Sequence, residues 1–423
     1  MITSPLWTDQ FPRPADLSVS TELPSHVDVV IVGSGYTGLC VARVLVKSGA
    51  SVAVLEKETI GWGASSRNGG MATPGLKLGL SKIYKKYGPE KGREFWRASV
   101  DAIDLIDEIV RDHDIDCDWS RTGHVAVATK ESHMADLESY ANWIKSEFGH
   151  AMKKISSSDI RQEIGSDRFF GGISDEISGG IQPAKYVFGL AGAVSALGVR
   201  LLEKTRVESV YSEKNHFCVV TSRGEITADE MVMATNGYTD RTLPGLKQKV
   251  IPIGSYIIVT EPLPQELQDE LSPKRRMYYD TKRFINYFRL TPDGRMLWGG
   301  RNNLSVNLDL KESSMILGQQ LTAVFPQLEG VPLTHSWSGQ LGVTFDLMPH
   351  IGRVDGVWYA NGYSGHGLSI ATYLGTELGL LISGEKERSP FEEIPHQTMF
   401  FYHNRPWFLP FAARYYRLLD WLS

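Results

Sequence analysis

An α/β fold with a second, α+β domain is what this sequence predicts, and three observations predict it. A β-branched run near the N-terminus, Val27-Asp-Val-Val-Ile-Val32, leads into the glycine spacing Gly33-Ser-Gly35-Tyr-Thr-Gly38. The same strand-loop-helix design returns near the other end, where Val357-Trp-Tyr-Ala360 runs into Asn361-Gly-Tyr-Ser-Gly-His-Gly367. Between them lie short alternating runs separated by polar turns, the pattern of antiparallel or mixed strands.

The first run is short, apolar and β-branched, which suits a buried parallel strand. A helix is expected from Tyr36 to Ser48 with Gly49 beyond its end, then a strand from Ser51 to Leu55. In this β-turn-α-β unit Gly33 permits the tight turn, Gly35 lets backbone approach a pyrophosphate, and Gly38 lets helix and strand pack closely. The helix N-terminus offers free N–H groups and partial positive charge to phosphates. Glu56 ends the second strand, where a carboxylate accepts from a ribose 2′-hydroxyl and repels a 2′-phosphate. The unit is therefore a Rossmann-like dinucleotide site, and by itself it does not separate FAD from NAD.

Gly61-Trp-Gly-Ala-Ser-Ser-Arg-Asn-Gly-Gly70 follows at once. Its small residues can run extended backbone along a planar ring, while Ser65, Ser66 and Arg67 can bind phosphate oxygens. A helix is expected over 86–112, with Ile103, Ile106, Ile109 and Val110 on one stripe. Strands are expected at Gly123–Thr129, across Val199–Ala234 with turns at Glu213–Asn215 and Ser222–Gly224, and at Ser255–Thr260, Phe284–Leu290 and Met296–Gly299. The helix after the second glycine loop, to about Ile382, carries Ala371, Gly375 and Gly379 as a small-residue ridge for close packing. Its N-terminus, at Gly365, His366, Gly367 and Leu368, can stabilise negative charge developing on a flavin edge. His366 has two readings, a contact to flavin or substrate and a histidine that holds the loop.

The totals bound the rest. The 423 residues, 42% hydrophobic and 22% charged, suffice for two domains around a large ligand. A formal charge of −5 and a pI near 6.1 offer no general attraction to nucleic acid or anionic lipid. Cys40, Cys117 and Cys218 are too far apart in sequence for a disulfide framework or metal spacing, and read as buried hydrophobes in a reducing compartment. The first 26 residues lack the pattern of a signal peptide and no run is apolar enough to span a bilayer, so the cytoplasm is expected. The tail after Pro390 is rich in aromatics, Phe400, Phe401, Trp407, Phe408, Phe411, Tyr415, Tyr416 and Trp421, among Arg405, Arg414 and Arg417. It is expected to pack on its own domain or a partner subunit, and an interfacial membrane helix is the other reading.

The segments GSGYTGL, IGWGASSRNGG, DIDCDW, MATNGY, MPHIGR and GYSGHG, in this order over nearly the whole chain, resemble the D-amino-acid-oxidase-type superfamily of FAD oxidoreductases. They look most like its γ-glutamylputrescine oxidoreductase branch. The resemblance implies a discontinuous FAD domain (26–85, 155–245 and 335–386), a substrate domain on a mixed sheet (86–154 and 246–334) and an aromatic tail (387–423). It implies that Gly33, Ser34, Gly35, Tyr36, Thr37, Gly38, Glu56 and Lys57 hold the ADP half, and that Gly63, Ala64, Ser65, Ser66, Arg67, Asn68, Gly69, Gly70 and Met71 run along pyrophosphate and flavin. Val207 would meet the adenine side, Thr235, Asn236 and Gly237 would flank the cofactor, and Gly362, Tyr363 and the rest of the GYSGHG loop would meet the pyrimidine edge.

Relatives that tether flavin do so through a cysteine near Ser338–Val343 or a histidine in the loop matching Ser65–Asn68, and neither is present; the FAD is expected to be non-covalent. Relatives that oxidise amino acids carry a lysine two positions after GHG, where this chain has Ser369. The lysine that activates oxygen in sarcosine oxidases has no counterpart in Gly294–Gly299. The chemistry implied is oxidation of the C–N bond of a small amine or amino acid, with O2 as expected acceptor and Arg289 or the substrate supplying positive charge. His366, Tyr287, Arg289 and Ser369 are the catalytic candidates, and Met71, His124, Tyr256 and Trp337 further pocket candidates. An L-pipecolate, cyclic or N-methyl amino-acid oxidase, a tRNA-modifying flavin domain and a quinone-coupled dehydrogenase are the competing readings. The substrate and oligomeric state are left open.

Overall fold

In a computed structural model, which describes residues 1–213, 216–301, 304–402 and 406–422, the chain is built on two eight-stranded sheets. The first runs His350–Val354, Val357–Asn361, Gly224–Met233, His26–Val32, Val52–Leu55, Arg200–Leu202 in spatial order, and the strands Val207–Glu213 and His216–Thr221 extend from Gly224–Met233. Its centre is parallel, with Val30 opposite both Met231 and Ala53. Side-chain alternation sends Val29, Ile31, Val52 and Val54 into a helical layer, and Val30, Ala53 and Leu55 into a core closed by Val207, Val219 and Ile226. Both faces of the strands are covered, which is why their sequences are almost wholly apolar.

The second sheet runs Leu333–Val343, Ile251–Thr260, Met296–Gly300, Tyr287–Leu290, Met277–Asp280, His124–Val127, Gly172–Asp175, Lys153–Ile155. All its pairings are antiparallel except that of Met277–Asp280 with His124–Val127, so the sheet is mixed. It takes Gly172–Asp175 and Leu333–Val343 from stretches that the sequence reading grouped largely with the first domain. The cause is pairing: Leu333–Val343 follows Ile251–Thr260 along its whole length, from Ile251 opposite Val343 to Thr260 opposite Leu333.

The expected helix over 86–112 begins earlier, as Leu80–Asp112, with a break at Gly88 ahead of Pro89. Three of the longer helices lie where the sequence predicts none: Glu131–Phe148, Pro183–Ala196 and Leu310–Val324. The last two open on side-chain caps, Gln182 accepting from the Lys185 N–H at 2.9 Å and Asp309 from the N–H groups of Lys311 and Glu312. The tail forms the helix Leu409–Leu422. Leu409 and Ala413 are buried with Ile251, Ile253, Val343 and Tyr402, so this end packs on its own chain. Trp407, Phe411, Tyr415 and Leu418 remain exposed; Arg405 and the side chains of Tyr416, Arg417 and Trp421 lie outside the described residues. Among the described residues no helix is long and apolar enough to cross a membrane.

Candidate active site

A cavity of about 370 Å³ opens between the two glycine loops and the second sheet. Its lining runs from Glu56, Lys57, Val207 and Thr242 at one end, past Ser34, Gly35, Ser65 and Arg67, to the loop Ser364–Ser369. Beyond that loop it is walled by Met71, Thr73, Pro74, Lys77, Ser255, Tyr279, Ile285, Tyr287 and Arg301.

At the first end the two sequence motifs are tied together. The Glu56 carboxylate accepts from the Ser34 N–H at 3.2 Å, the Ser34 hydroxyl at 2.8 Å and the Glu58 N–H at 2.9 Å. Gly33 holds a φ of +104°, and a Cβ on Gly38 would lie 2.0 Å from the Gly33 carbonyl oxygen. Loop and helix therefore approach as closely as the glycine spacing predicts, leaving backbone rather than side chain facing the cavity.

The Ala64–Gly70 stretch is held from three sides. Asn68 donates to the carbonyls of Ala64 at 3.2 Å and Ser65 at 3.0 Å, and accepts from the Gly70 N–H at 2.8 Å. The Ser65 hydroxyl accepts from the Tyr36 N–H at 3.0 Å. The Trp7 indole donates to the Asn68 carbonyl at 2.8 Å, and the Trp337 indole to the Arg67 carbonyl at 2.9 Å. Arg67 lies over the Trp62 ring, 4.6 Å from its centroid, and donates to the Trp62 carbonyl. The second glycine loop is anchored by Asn236, which accepts from the Gly362 N–H at 3.0 Å, and by the Thr37 hydroxyl, 2.6 Å from that of Tyr363.

Most sequence candidates meet at this cavity, and several do not. Trp337 is a buried prop for the loop rather than a pocket wall. Tyr256 is fully buried, with its hydroxyl donating to the Ser305 carbonyl at 2.9 Å. His124 stands behind the wall: its ring stacks on Tyr279, whose hydroxyl is 3.2 Å from Nε2, and its Nδ1 lies 2.7 Å from the Ser178 hydroxyl. Burial pushes His124 down to about 4, so it is neutral. Arg289 is outside the lining; its guanidinium donates to the Ile181 carbonyl at 2.6 Å and sits against Trp7, because Gly70 and Gly180 leave it room. It is a structural cation, and the expectation that it meets substrate or oxygen is corrected. Ser66 is buried and, with Gly38, Gly70, Gly237 and Gly362, shapes the lining without contributing to it.

Tyr287, His366 and Ser369 do line the cavity. The Tyr287 hydroxyl is 3.3 Å from that of Ser255. The His366 Nδ1 is buried without a hydrogen-bond partner. Burial, then the charges of Lys77 and Arg301, hold His366 down to about 3. A neutral imidazole this weakly basic is no proton acceptor for an ammonium group. Lys77 and Arg301 were missed because no motif marks them: one follows a loop rich in Gly and Pro, the other the end of a strand.

The family model described as FAD dependent oxidoreductase matches residues 28–379. This chain belongs to that family. The γ-glutamylputrescine oxidoreductase of Escherichia coli is 34% identical over 404 residues, 94% of this chain and 93% of that protein. The probable oxidoreductase OrdL of Haemophilus influenzae is 34% identical over 370 residues, 86% and 84% of the two chains. Among solved structures, glycine oxidase from Geobacillus kaustophilus superposes with a TM-score of 0.75 at 20% identity, over 89% of this chain and 99% of that one. L-proline dehydrogenase from P. horikoshii superposes with a TM-score of 0.72 at 23% identity, over 86% and 95%.

The residues of this oxidoreductase fit FAD. Glu56 meets the loop where a ribose is expected, side chains are excluded where a pyrophosphate must approach, and the unpartnered His366 Nδ1 is buried in the lining at the far loop. Replacing Glu56 by alanine is expected to cost about 1.5–3 kcal/mol of charge-assisted hydrogen bonding and to weaken FAD binding roughly ten- to a hundredfold. Fluorimetric titration of the apoprotein with FAD checks this, and an unchanged dissociation constant removes Glu56 from the ribose site.

Proposed function

We propose that this oxidoreductase oxidises the C–N bond of an amine, with γ-glutamylputrescine-like ω-amines as its best substrates, O2 as acceptor and FAD held without a covalent bond. When bound, FAD supplies the oxidising step by taking a hydride equivalent from the carbon that bears the amine. The observation that carries the reading is the charge of the substrate end. The carboxylates in the lining are Glu56 and Asp240, both at the nucleotide end, whereas Lys77 and Arg301 stand beyond the loop Ser364–Ser369. An ammonium group is disfavoured beside two cations in a space of low dielectric, so the amine is driven to the neutral form that can lose a hydride. The proton leaves to water before oxidation, and water hydrolyses the resulting imine. Tyr287, Tyr279, Met71 and Ile285 orient the chain and exclude solvent.

The likeness to γ-glutamylputrescine oxidoreductase over nearly the full length supports the choice of ω-amine. So does Ser369, buried in the lining where amino-acid-oxidising relatives have a lysine: a hydroxyl accepts an N–H but cannot neutralise an α-carboxylate held there. The expected result is a higher kcat/KM for γ-glutamylputrescine than for sarcosine, glycine or L-pipecolate, after a first screen by anaerobic bleaching of the flavin. Higher efficiency on sarcosine, with no gain in Ser369→Lys, overturns the substrate assignment.

A further inference from the structure

Tyr279 is in the cavity lining, and His124, behind it, is not. Their rings stack with centroids 5.1 Å apart, and the Tyr279 hydroxyl lies 3.2 Å from His124 Nε2. His124 Nδ1 lies 2.7 Å from the hydroxyl of Ser178, a wholly buried residue whose carbonyl accepts from the Gly123 N–H at 3.0 Å. Asp175, opposite His124 in the sheet, is committed to His150 at 3.0 Å and to the Ile177 N–H at 3.2 Å, so Ser178 rather than this carboxylate is the partner of His124. A phenol is the stronger donor and an imidazole nitrogen the stronger acceptor of their pair. Tyr279 therefore donates to Nε2, and the imidazole carries its proton on Nδ1 and donates to Ser178. Burial keeps His124 neutral and pushes the Tyr279 hydroxyl well above its ordinary value, so neither group charges. With its one proton turned to His124, the tyrosine hydroxyl has only lone pairs left to offer, and the wall at this point is an acceptor.

Tyr279 stands directly opposite Tyr287 in an antiparallel pair, so both side chains leave the same face. Tyr287 packs on Gly69, where an added Cβ would lie 2.8 Å from its ring, in the stretch expected to run along the flavin. Tyr279 is one strand spacing, about 4.8 Å, farther from that stretch. We propose that Tyr279 is a specificity-determining residue that accepts an N–H carried by the substrate beyond its reacting amine, and that His124 is the positioning residue that aims its hydroxyl. The substrate class is then an amine with a second N–H a few bonds along its chain, as in a diamine acylated at one end. This rests on the amine-oxidising reading above.

N-butylacetamide and butyl acetate differ by an amide N–H against an ester oxygen and carry no amine. Titrating each into the FAD-loaded protein, read from the visible flavin spectrum, tests the contact without turnover. The amide is expected to bind about tenfold or more tighter, because the ester sets oxygen against oxygen. Tyr279→Phe should keep a full complement of FAD and bring the two affinities within about twofold. His124→Phe keeps the ring stack and frees the tyrosine proton to turn to the cavity, so it should tighten ester binding about fivefold, an effect that loosened packing does not produce. In turnover, N-acetylputrescine should show a KM about tenfold below that of 4-aminobutyl acetate at similar kcat, and Tyr279→Phe should close that gap. Equal affinity for amide and ester in the parent overturns the proposal, as does a Tyr279→Phe protein that keeps the preference or is slowed in kcat alone. Ester affinity unchanged in His124→Phe removes the histidine from its role. If neither amine is oxidised the amine reading fails, while the titration still decides the contact.

Discussion

Gly375→Leu is expected to yield protein that neither retains FAD nor melts cooperatively near the parent temperature. Gly375 lies mid-helix in Gly367–Ser383, where that helix crosses Tyr36–Lys47, and a Cβ placed on it would be 2.5 Å from the Thr37 carbonyl oxygen and 2.9 Å from the Cys40 Cβ. The obstacle is backbone, so no rotamer change relieves it. Overpacking a core commonly costs about 1–3 kcal/mol, and a full isobutyl group against a helix backbone lies beyond that range. The two helices carry the two glycine loops at their N-termini, and Thr37 is itself in the cavity lining. Forcing the helices apart therefore opens the nucleotide site and the second glycine loop together. Gly192→Ala is the control: it also lies inside a helix, nothing stands within 4 Å of its added Cβ, and it should stabilise by roughly 1 kcal/mol at most. FAD content of the purified proteins and their thermal melts check both; a Gly375→Leu protein that stays yellow with an unchanged melt would show that the helices can separate without loss.

That crossing was readable from the spacing of Ala371, Gly375 and Gly379, because small residues at one-turn intervals leave a groove whatever packs into it. The parallel strands were equally readable, since both faces of His26–Val32 and Val52–Leu55 are covered and their sequences leave few other possibilities. The helices Glu131–Phe148, Pro183–Ala196 and Leu310–Val324 escaped notice for different reasons. The first buries only Met134, Ala141 and Ile144, too sparse a stripe to stand out. Pro183–Ala196 is apolar almost all round because it lies between the sheet and other helices, and so has little periodicity. Leu310–Val324 has a legible start in Asp309, a capping residue ahead of Glu312, but buries only Ser313, Ser314, Leu317 and Leu321, too weak a stripe to mark the helix.

The site divides the same way. The nucleotide end is made of backbone and glycines whose spacing is dictated by phosphate geometry, so Gly33, Gly35, Gly38 and Glu56 announce themselves in sequence. The substrate end is assembled from single side chains on unrelated elements, and nothing local distinguishes Lys77 from the solvated lysines that follow it. Arg289 shows the converse error. It sits on the strand Tyr287–Leu290 beside Tyr287, but alternation sends neighbours to opposite faces, so Tyr287 and Arg289 should share a face. They do, and what separates them is depth: Arg289 is sealed beneath Gly70 and Gly180, a tertiary fact that no strand pattern contains.

Asp346→Ala is expected to destabilise by about 3–5 kcal/mol, the cost of breaking a buried ion pair and leaving its partners unsatisfied. Asp346 accepts from His350 Nε2 at 3.1 Å, the Met348 N–H at 3.1 Å and the Tyr87 hydroxyl at 3.2 Å, with the Lys86 ammonium at 3.7 Å. His350 in turn lies flat on the His396 ring at 4.0 Å, and the Tyr359 hydroxyl is 3.0 Å from His396 Nδ1. Burial, with the charges of His350 and Lys249, holds His396 down to about 2, so it stacks as a neutral ring. The cluster fixes the turn Thr344–Met348, closed by the Thr344 hydroxyl donating to the Met348 carbonyl at 2.7 Å, and a Cβ on Gly362 would meet Thr344 and Met348. Loss of Asp346 should therefore loosen the second glycine loop from behind, lowering FAD affinity as well as the urea midpoint. Acid provides the independent check. Burial alone would raise the Asp346 carboxyl, but His350, the Met348 N–H and Lys86 outweigh it and hold it well below the usual carboxylate range. A group lowered in the folded state contributes its full stability above its unfolded pKa and loses it as pH falls through the window below about 4. The parent should thus lose stability more steeply than Asp346→Ala on acidification below that pH, and parallel stability curves for the two proteins would show that the carboxylate does not hold this end of the site.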